Sequence, residues 1–329
     1  MTEPQILECT LRDGSYAIDY QFTERDCADL CAALESVGFD LIEIGHGVGL
    51  GGSGPKHGQT AATDEEYCRA AALSLKRARF GAFFIPGIGT RKHLDMAREH
   101  GMGFIRIGTN ITQVDEAKPF IEYAKKLGFE VHYNAMKSYV LDPEAFTNEI
   151  RKTWQWGADS VYLVDSSGGM TPDEVRAYVR LMRAAVECKI GFHGHNNFML
   201  ANANNMAAID EGATLVDATL QGMGRSSGNA QTEIMAILLQ KRGFARGIDV
   251  MRCLEIGERL IRPRMKAGGV TALEVVIAMA QFHSSFLARA ERVAAQTGVD
   301  LKQLIIEVSR VDKVNPTEEL MLRVAANIH

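Results

Sequence analysis

Residues 5–19, QILECTLRDGSYAID, decide between the two α/β architectures open to this chain. QILECTL reads as a first strand. The turn after it is RDGSYAID, where a doubly wound dinucleotide-binding sheet would carry G-x-G-x-x-G. An Arg and an Asp stand side by side at this strand end instead. Outward from here one unit repeats. The strand-like runs DLIEIGHG (40–47), RFGAFFIPG (79–87), GFIRIGT (103–109), FEVHYNAM (129–136), SVYLVDSSG (160–168), KIGFHGHNN (189–197) and TLVDATLQGMG (214–224) alternate with helical segments such as TERDCADLCAALESVG (23–38). Several helical segments close on a glycine that runs straight into the next strand, at Gly38, Gly101, Gly128, Gly157 and Gly212. That suits the left-handed position just past a helix end. Thr23, Asp142 and Thr171 stand where N-caps belong, with Pro143 and Pro172 in the first turns. Eight strand–helix units in about 240 residues predict an α/β (β/α)8 TIM barrel, with the open sheet as the alternative.

From about residue 245 the period is helical throughout, in IDVMRCLEIGERLIRPRM (248–265), the run from 271 to 298, DLKQLIIEVSR (300–310) and TEELMLRVAANI (317–328). The expected organisation is a barrel domain over 1–245 and a C-terminal helical domain over 246–329. No low-complexity linker separates them, so rigid packing on the barrel is expected. The 329 residues, 46 % hydrophobic and 23 % charged, describe an ordinary soluble globular chain. A net charge of −5 without a basic run argues against nucleic acid as a partner. The start MTEPQILECT is not a signal peptide, and no apolar run approaches the roughly 18 residues that span a bilayer. The six cysteines are scattered and read as reduced packing thiols, Cys27 and Cys31 at helical spacing included. A cytoplasmic protein without membrane contact is expected.

In a barrel, chemistry gathers at the C-terminal strand ends. Read in order these are Arg12 and Asp13, His46, Pro86, Asn110, Lys137, Asp165 and Ser166, His193 and His195, and the loop Gly222 to Gly228. His193 and His195 are two apart on a strand, so their side chains share one side. Facing the barrel interior, they and Asp13 from the neighbouring first strand form a two-His, one-carboxylate metal set with open positions. A set without thiolates suits Mn2+ or Mg2+, with Zn2+, Co2+ and Fe2+ as further options. The plainer reading is a pair of hydrogen-bonded barrel histidines. QGMGRSSGNA (221–230) looks like a phosphate cradle in isolation, but lacks a P-loop lysine.

TLRDG together with GFHGHNN resembles the DRE-TIM metallolyases, and within them most closely the 4-hydroxy-2-oxovalerate aldolases. The resemblance also rests on IEIGHGVGLGGS (42–53), PGIGT (86–90), VDSSGGM (164–170), VDATLQGMGRSSGNA (216–230), RPRM (262–265) and SSFLARAERVAAQTGVD (284–300). It implies that Asp13, His193 and His195 bind a divalent cation, with Asn229 as a weak further ligand in some members. Pyruvate or its enolate would chelate the ion through carboxylate and C2 oxygen, placing His193 beside the substrate. Arg12 would stabilise the enolate oxygen; its plainer role is an ion pair with Asp13. It also implies a homo-oligomer, a 2-oxo acid and an aldehyde as small-molecule partners, and an acylating aldehyde dehydrogenase as protein partner.

The chain departs from that pattern where the aldolases carry their base. Their His after R-D-G is Tyr16 here, and their orienting Tyr before S-S-F is His283. The exchange predicts that Tyr16 and His283 form a hydrogen-bonded pair, His283 as base and Tyr16 as relay, since an unperturbed tyrosine ionises only near pH 10. Their plainer reading is filler in an altered pocket. Lys137, where the aldolases have no lysine, is a candidate for a second anionic group, or a solvated rim lysine. Ser166 and Ser167 are candidates for hydrogen-bonding the 2-oxo acid, or for satisfying their own turn. Phe83 and Ile85 replace smaller aliphatics and point to an aldehyde other than acetaldehyde. A Claisen-type acyl-CoA condensing enzyme or lyase of the same superfamily is the alternative activity. A non-catalytic partner subunit of a dehydrogenase complex is the alternative of another class.

Overall fold

The computed structural model describes residues 3–265 and 272–328; the first two residues, and Thr271 at the head of an expected helical run, lie outside them. Eight strands, β1 (Gln5–Glu8), β2 (Leu41–Ile44), β3 (Arg79–Phe84), β4 (Phe104–Asn110), β5 (Glu130–Met136), β6 (Ser160–Asp165), β7 (Lys189–Gly194) and β8 (Leu215–Ala218), pair in chain order. All pairs are parallel, and β1 closes on β8 with Gln5 opposite Leu215. The helices between and after them are α1 (Glu24–Val37), α2 (Asp64–Ser74), α3 (Arg91–Glu99), α4 (Lys118–Lys126), α5 (Pro143–Gln155), α6 (Pro172–Ala185), α7 (Ala201–Asp210) and α8 (Thr232–Lys241). The chain is a (β/α)8 barrel, as expected.

The period of two sends one set of strand side chains inward. Leu7, Leu41, Phe104, Tyr162 and Leu215 form an apolar cluster inside the barrel. Glycine makes room for its rings. A Cβ at Gly81 would stand 2.2 Å from the Phe104 ring, and one at Gly191 2.4 Å from Tyr162. The outward residues join the helices in the larger core. Local signals agree with this layout. Thr23 and Thr171 close capping boxes with Asp26 and Glu174, and Asp142 accepts from the N–H groups of Glu144 and Ala145. The five helix-ending glycines all have φ between +82° and +115°. α2 stops at Ser74, short of the segment that leads into β3. The Glu35 carboxylate on α1 accepts from the backbone N–H groups of Lys76, Arg77 and Ala78 (3.0, 2.6 and 2.7 Å), which holds that segment off the helix.

Beyond the barrel come α9 (Val250–Ile256), then α10 (Ala272–Ala280), α11 (Leu287–Thr297), α12 (Leu301–Val311) and α13 (Glu318–Ala325). Cys253, Ile256 and Ile261 still pack in the barrel's own core, although they lie past residue 245. A separate apolar core gathers Phe282, Phe286, Val293, Ile305 and Met321. Among the described residues no helix is long and apolar enough to cross a membrane.

Candidate active site

The turn after β1 aims its two charges. The Cys9 carbonyl accepts from the backbone N–H groups of Arg12, Asp13 and Gly14 at 3.1, 2.8 and 3.2 Å, curling the chain over the barrel mouth. Asp13 then opens a short 3-10 turn, Gly14–Ile18, and is buried together with Arg12. Across the mouth, His193 is the last residue but one of β7 and His195 stands just past its end, ring centroids 5.1 Å apart and nearly perpendicular. One ligand atom from each of Asp13, His193 and His195 lies within 4.8 Å of the others. The structure therefore brings together the three residues expected to hold a cation.

Beneath them six charged or titratable side chains close a ring. Arg12 lies 3.2 Å from Asp13 through Nη1 and donates through Nε to Glu43 at 2.8 Å. Arg106 donates to the same Glu43 oxygen at 2.8 Å and, through its other nitrogen, to Asp217 and to Asn134. Asp217 bonds His193 Nδ1 at 2.8 Å, and His193 Nε2 stands 3.2 Å from Asp13 Oδ2, which completes the circuit. Arg106, with its side chain wholly buried, is tolerable there because two carboxylates and an amide accept from its two Nη groups, although its Nε has no partner among the described residues.

The donor set fits a divalent ion. Asp217, an acceptor only, holds a proton on His193 Nδ1, so Nε2, which faces Asp13, is the nitrogen that would ligate a cation. Asp13 Oδ2 and His195 Nδ1 are buried without hydrogen-bond partners among the described residues, and so is Oδ1 of Asn229, whose backbone bridges to His195. Burial opposes the charge on Asp13, but Arg12 and the two histidines hold its carboxyl well below the usual range. Burial would lower His193, and the flanking carboxylates of Asp13 and Asp217 raise it instead. Burial, then the charge of Arg225, pushes His195 well down, leaving its imidazole neutral as a ligand must be.

These groups open into a cavity of about 840 Å3, walled by the barrel mouth and by the C-terminal helical part, which contributes His283, Phe286 and Val314. Tyr16 and His283 both line it. Among the described residues no hydrogen bond joins them: the expected direct pair is replaced by Arg225, whose Nη2 stands 3.1 Å from His283 Nε2 while its guanidinium lies 5.3 Å from the Tyr16 ring centre. Burial raises the Tyr16 phenol, whereas burial, Arg225 and Lys137 together push His283 well below its ordinary value. Lys137 is no rim lysine. It is 5 % exposed, donates to the Val314 carbonyl and lies 4.6 Å above the Phe286 ring. Burial, and secondarily Arg225, brings it down to about 8. Ser166 lines the cavity, but Ser167 does not; its hydroxyl donates to Asp165 Oδ1 at 3.1 Å within the turn, which answers its hydrogen-bonding need there. Phe83 and Ile85 stand on the wall, Phe83 under the Arg12 guanidinium at 4.9 Å.

Sequence reading passed over Glu43, Arg106, Asp217 and Arg225. The first three had a signal: a lone charge at an inward position of an otherwise apolar strand, in LIEI, FIRIGTN and LVDA. Arg225 had none, because it lies in a glycine-rich loop whose path only the fold determines.

The HMGL-like family model matches residues 3–260. A 4-hydroxy-2-oxovalerate aldolase from Carboxydothermus hydrogenoformans is 38 % identical over 98 % of this chain and 96 % of its own length. Another protein of that name, from Thermomicrobium roseum, is 37 % identical over 100 % and 92 %. Among solved structures, the N-terminal domain of a candidate aldolase from Bacteroides vulgatus superposes with a TM-score of 0.74 at 25 % identity, covering 88 % of this chain and 96 % of that one. With a barrel, a buried Asp-His-His set and these likenesses over nearly its full length, the chain belongs to the HMGL-like family, among the carbon–carbon lyases of the DRE-TIM metallolyase superfamily.

Proposed function

We propose that this protein is a divalent-metal-dependent aldolase that makes and breaks the C3–C4 bond of a 4-hydroxy-2-oxo acid through a pyruvate enolate. The observation that carries the reading is the convergence of Asp13, His193 and His195 beside the Arg12 guanidinium on one cavity wall. The likeness to proteins named 4-hydroxy-2-oxovalerate aldolase supports it. Asp13, His193 and His195 would hold Mn2+ or Mg2+, which supplies Lewis-acid polarisation of the 2-oxo group.

The remaining work falls to the chain's own side chains. Arg12 donates to the C2 oxygen as negative charge grows there. Glu43, the Gly47 carbonyl and the Phe83 ring already fix its guanidinium, so little reorganisation is needed when the charge arrives. In cleavage, His283 takes the proton from the C4 hydroxyl and the C3–C4 electron pair passes into the enolate. The aldehyde departs, and a proton returns to C3 to give pyruvate. Tyr16 acts on His283 through Arg225 rather than directly. Phe83 and Ile85 reshape the wall where the aldehyde would sit, so the acceptor is an aldehyde other than acetaldehyde. Supply of that aldehyde by an acylating dehydrogenase, and self-association, belong to the same reading.

The test is to strip the protein of metal by chelation and follow C3 proton exchange of pyruvate in D2O, together with pyruvate release from 4-hydroxy-2-oxo acids. Both are expected to vanish and to return with Mn2+ or Mg2+. Neither reaction with any divalent metal would sink the reading. Thiol release from acetyl-CoA and a 2-oxo acid would move the chain to the acyl-CoA branch.

A further inference from the structure

Charge inside the cavity does not balance without a second anion. The buried ring carries three carboxylates, Asp13, Glu43 and Asp217, against two guanidiniums, Arg12 and Arg106. A divalent cation and one 2-oxo acid carboxylate would bring that group to neutrality. Lys137 and Arg225, both on the cavity wall, are then left over. Among the described residues no carboxylate stands within ion-pair distance of either. Arg225 faces two imidazole nitrogens, His195 Nε2 and His283 Nε2, each at 3.1 Å. Lys137 has a backbone carbonyl and an aromatic face. The carboxylate that most nearly reaches it, Asp312, is turned to its own loop, accepting from the N–H groups of Val314 and Asn315 at 2.7 and 3.1 Å. Lys137 is buried with no carboxylate partner among the described residues, and Arg225 is half-buried; burying a cation unpaired is costly, and an arriving anion relieves that cost.

Resting on the aldolase reading, the geometry points to an acceptor aldehyde that carries its own anionic group, a carboxylate or a phosphate, received by Lys137 and Arg225. A planar guanidinium and a compact ammonium together offer donors from two directions to a tetrahedral or planar oxyanion. Burial and Arg225 bring Lys137 down to about 8, and an opposite charge beside it would favour the protonated amine. The cavity volume of about 840 Å3 exceeds what pyruvate and a two-carbon aldehyde fill. No new chemistry is required: C3 of the enolate bonds to the aldehyde carbon, and the aldehyde oxygen takes the proton. The anionic group is held and does not react.

The experiment pairs aldehydes with the metal-loaded enzyme and pyruvate. The ω-carboxylate aldehydes glyoxylate, succinate semialdehyde and glutarate semialdehyde are set against n-alkanals of equal length, and glycolaldehyde phosphate against glycolaldehyde. At least one anionic aldehyde is expected to exceed its neutral partner by tenfold or more in kcat/KM, and which one tells carboxylate from phosphate. Lys137→Met is expected to erase that preference through the acceptor KM. Arg225→Gln is a second variant in case the first folds poorly, read by the same preference. Exchange that proceeds with neutral aldehydes equal or better would overturn the proposal. So would Lys137→Met raising the KM of pyruvate, which would assign the lysine to the 2-oxo acid. Borohydride trapping of pyruvate on Lys137 would also overturn it, making the lysine a nucleophile. No exchange at all would overturn the aldolase reading first, and this inference with it.

Discussion

His193 and Asp217 are joined inside the barrel, Nδ1 to carboxylate oxygen at 2.8 Å, and this one bond decides which imidazole nitrogen can reach a cation. Asp217→Asn can donate to Nδ1 as readily as accept from it, so the proton need no longer sit there. Metal affinity should fall about 10- to 100-fold. Titration of the metal-free variant with Mn2+, followed by electron paramagnetic resonance, checks this; affinity equal to wild type would remove Asp217 from the account.

Arg106 is the keystone of the buried ring, since among the described residues it alone hydrogen-bonds both Glu43 and Asp217. Arg106→Met removes the guanidinium that Glu43 and Asp217 share, leaving Glu43 only Arg12 and Asp217 only His193 in the ring. Unfolding free energy should drop by about 3–5 kcal/mol, visible as a lower urea midpoint. Combined with Asp217→Asn, the loss should be smaller than the sum, because one of the stranded charges is gone.

As the base, His283 must be neutral, and burial with the charges of Arg225 and Lys137 keeps it so below its ordinary value of 6.5. His195 adds to the depression and Asp13 opposes it. The acid limb of kcat/KM should therefore lie below pH 6.5. Arg225→Gln removes a neighbouring positive charge, raises His283 and moves that limb to higher pH. His283→Ala should cost about 10²–10⁴ in kcat. A pH profile unmoved by the Arg225 change would separate the limb from His283.

His132 on β5 is wholly buried, with Ser160 Oγ 2.8 Å from Nδ1, and burial lowers it from 6.5 to about 4. The folded state binds this proton more weakly than the unfolded chain does. Its contribution is present above pH 6.5 and is lost as pH falls toward 4, a change on the order of 3 kcal/mol. Wild type should lose stability over that window, and His132→Gln should lose less. Chemical denaturation at pH 7 and pH 4.5 compares them.

The barrel units and the histidine pair could be read in advance because both are local. Helix caps, terminal glycines and period-two strands act over a few residues, and H-x-H puts two rings on one side by strand geometry alone. The C-terminal part was legible as helices, but not that Cys253, Ile256 and Ile261 still pack into the barrel core. Ser167 and Ser166 look alike in the sequence. One turn sends the first to Asp165 and the second to the cavity, which no pattern of residue types distinguishes.

Residue order by itself determined a closed α/β barrel and Asp13, His193 and His195 at its mouth. Tertiary structure alone decided what surrounds them. It closed the ring through Glu43, Arg106 and Asp217, drawn from three strands far apart in the chain. It also slid Arg225 between the Tyr16 ring and His283, where a direct hydrogen bond was expected. The reason is reach: strand and helix periods are set by neighbours in sequence, whereas these contacts join residues separated by tens to hundreds of positions once the barrel has closed.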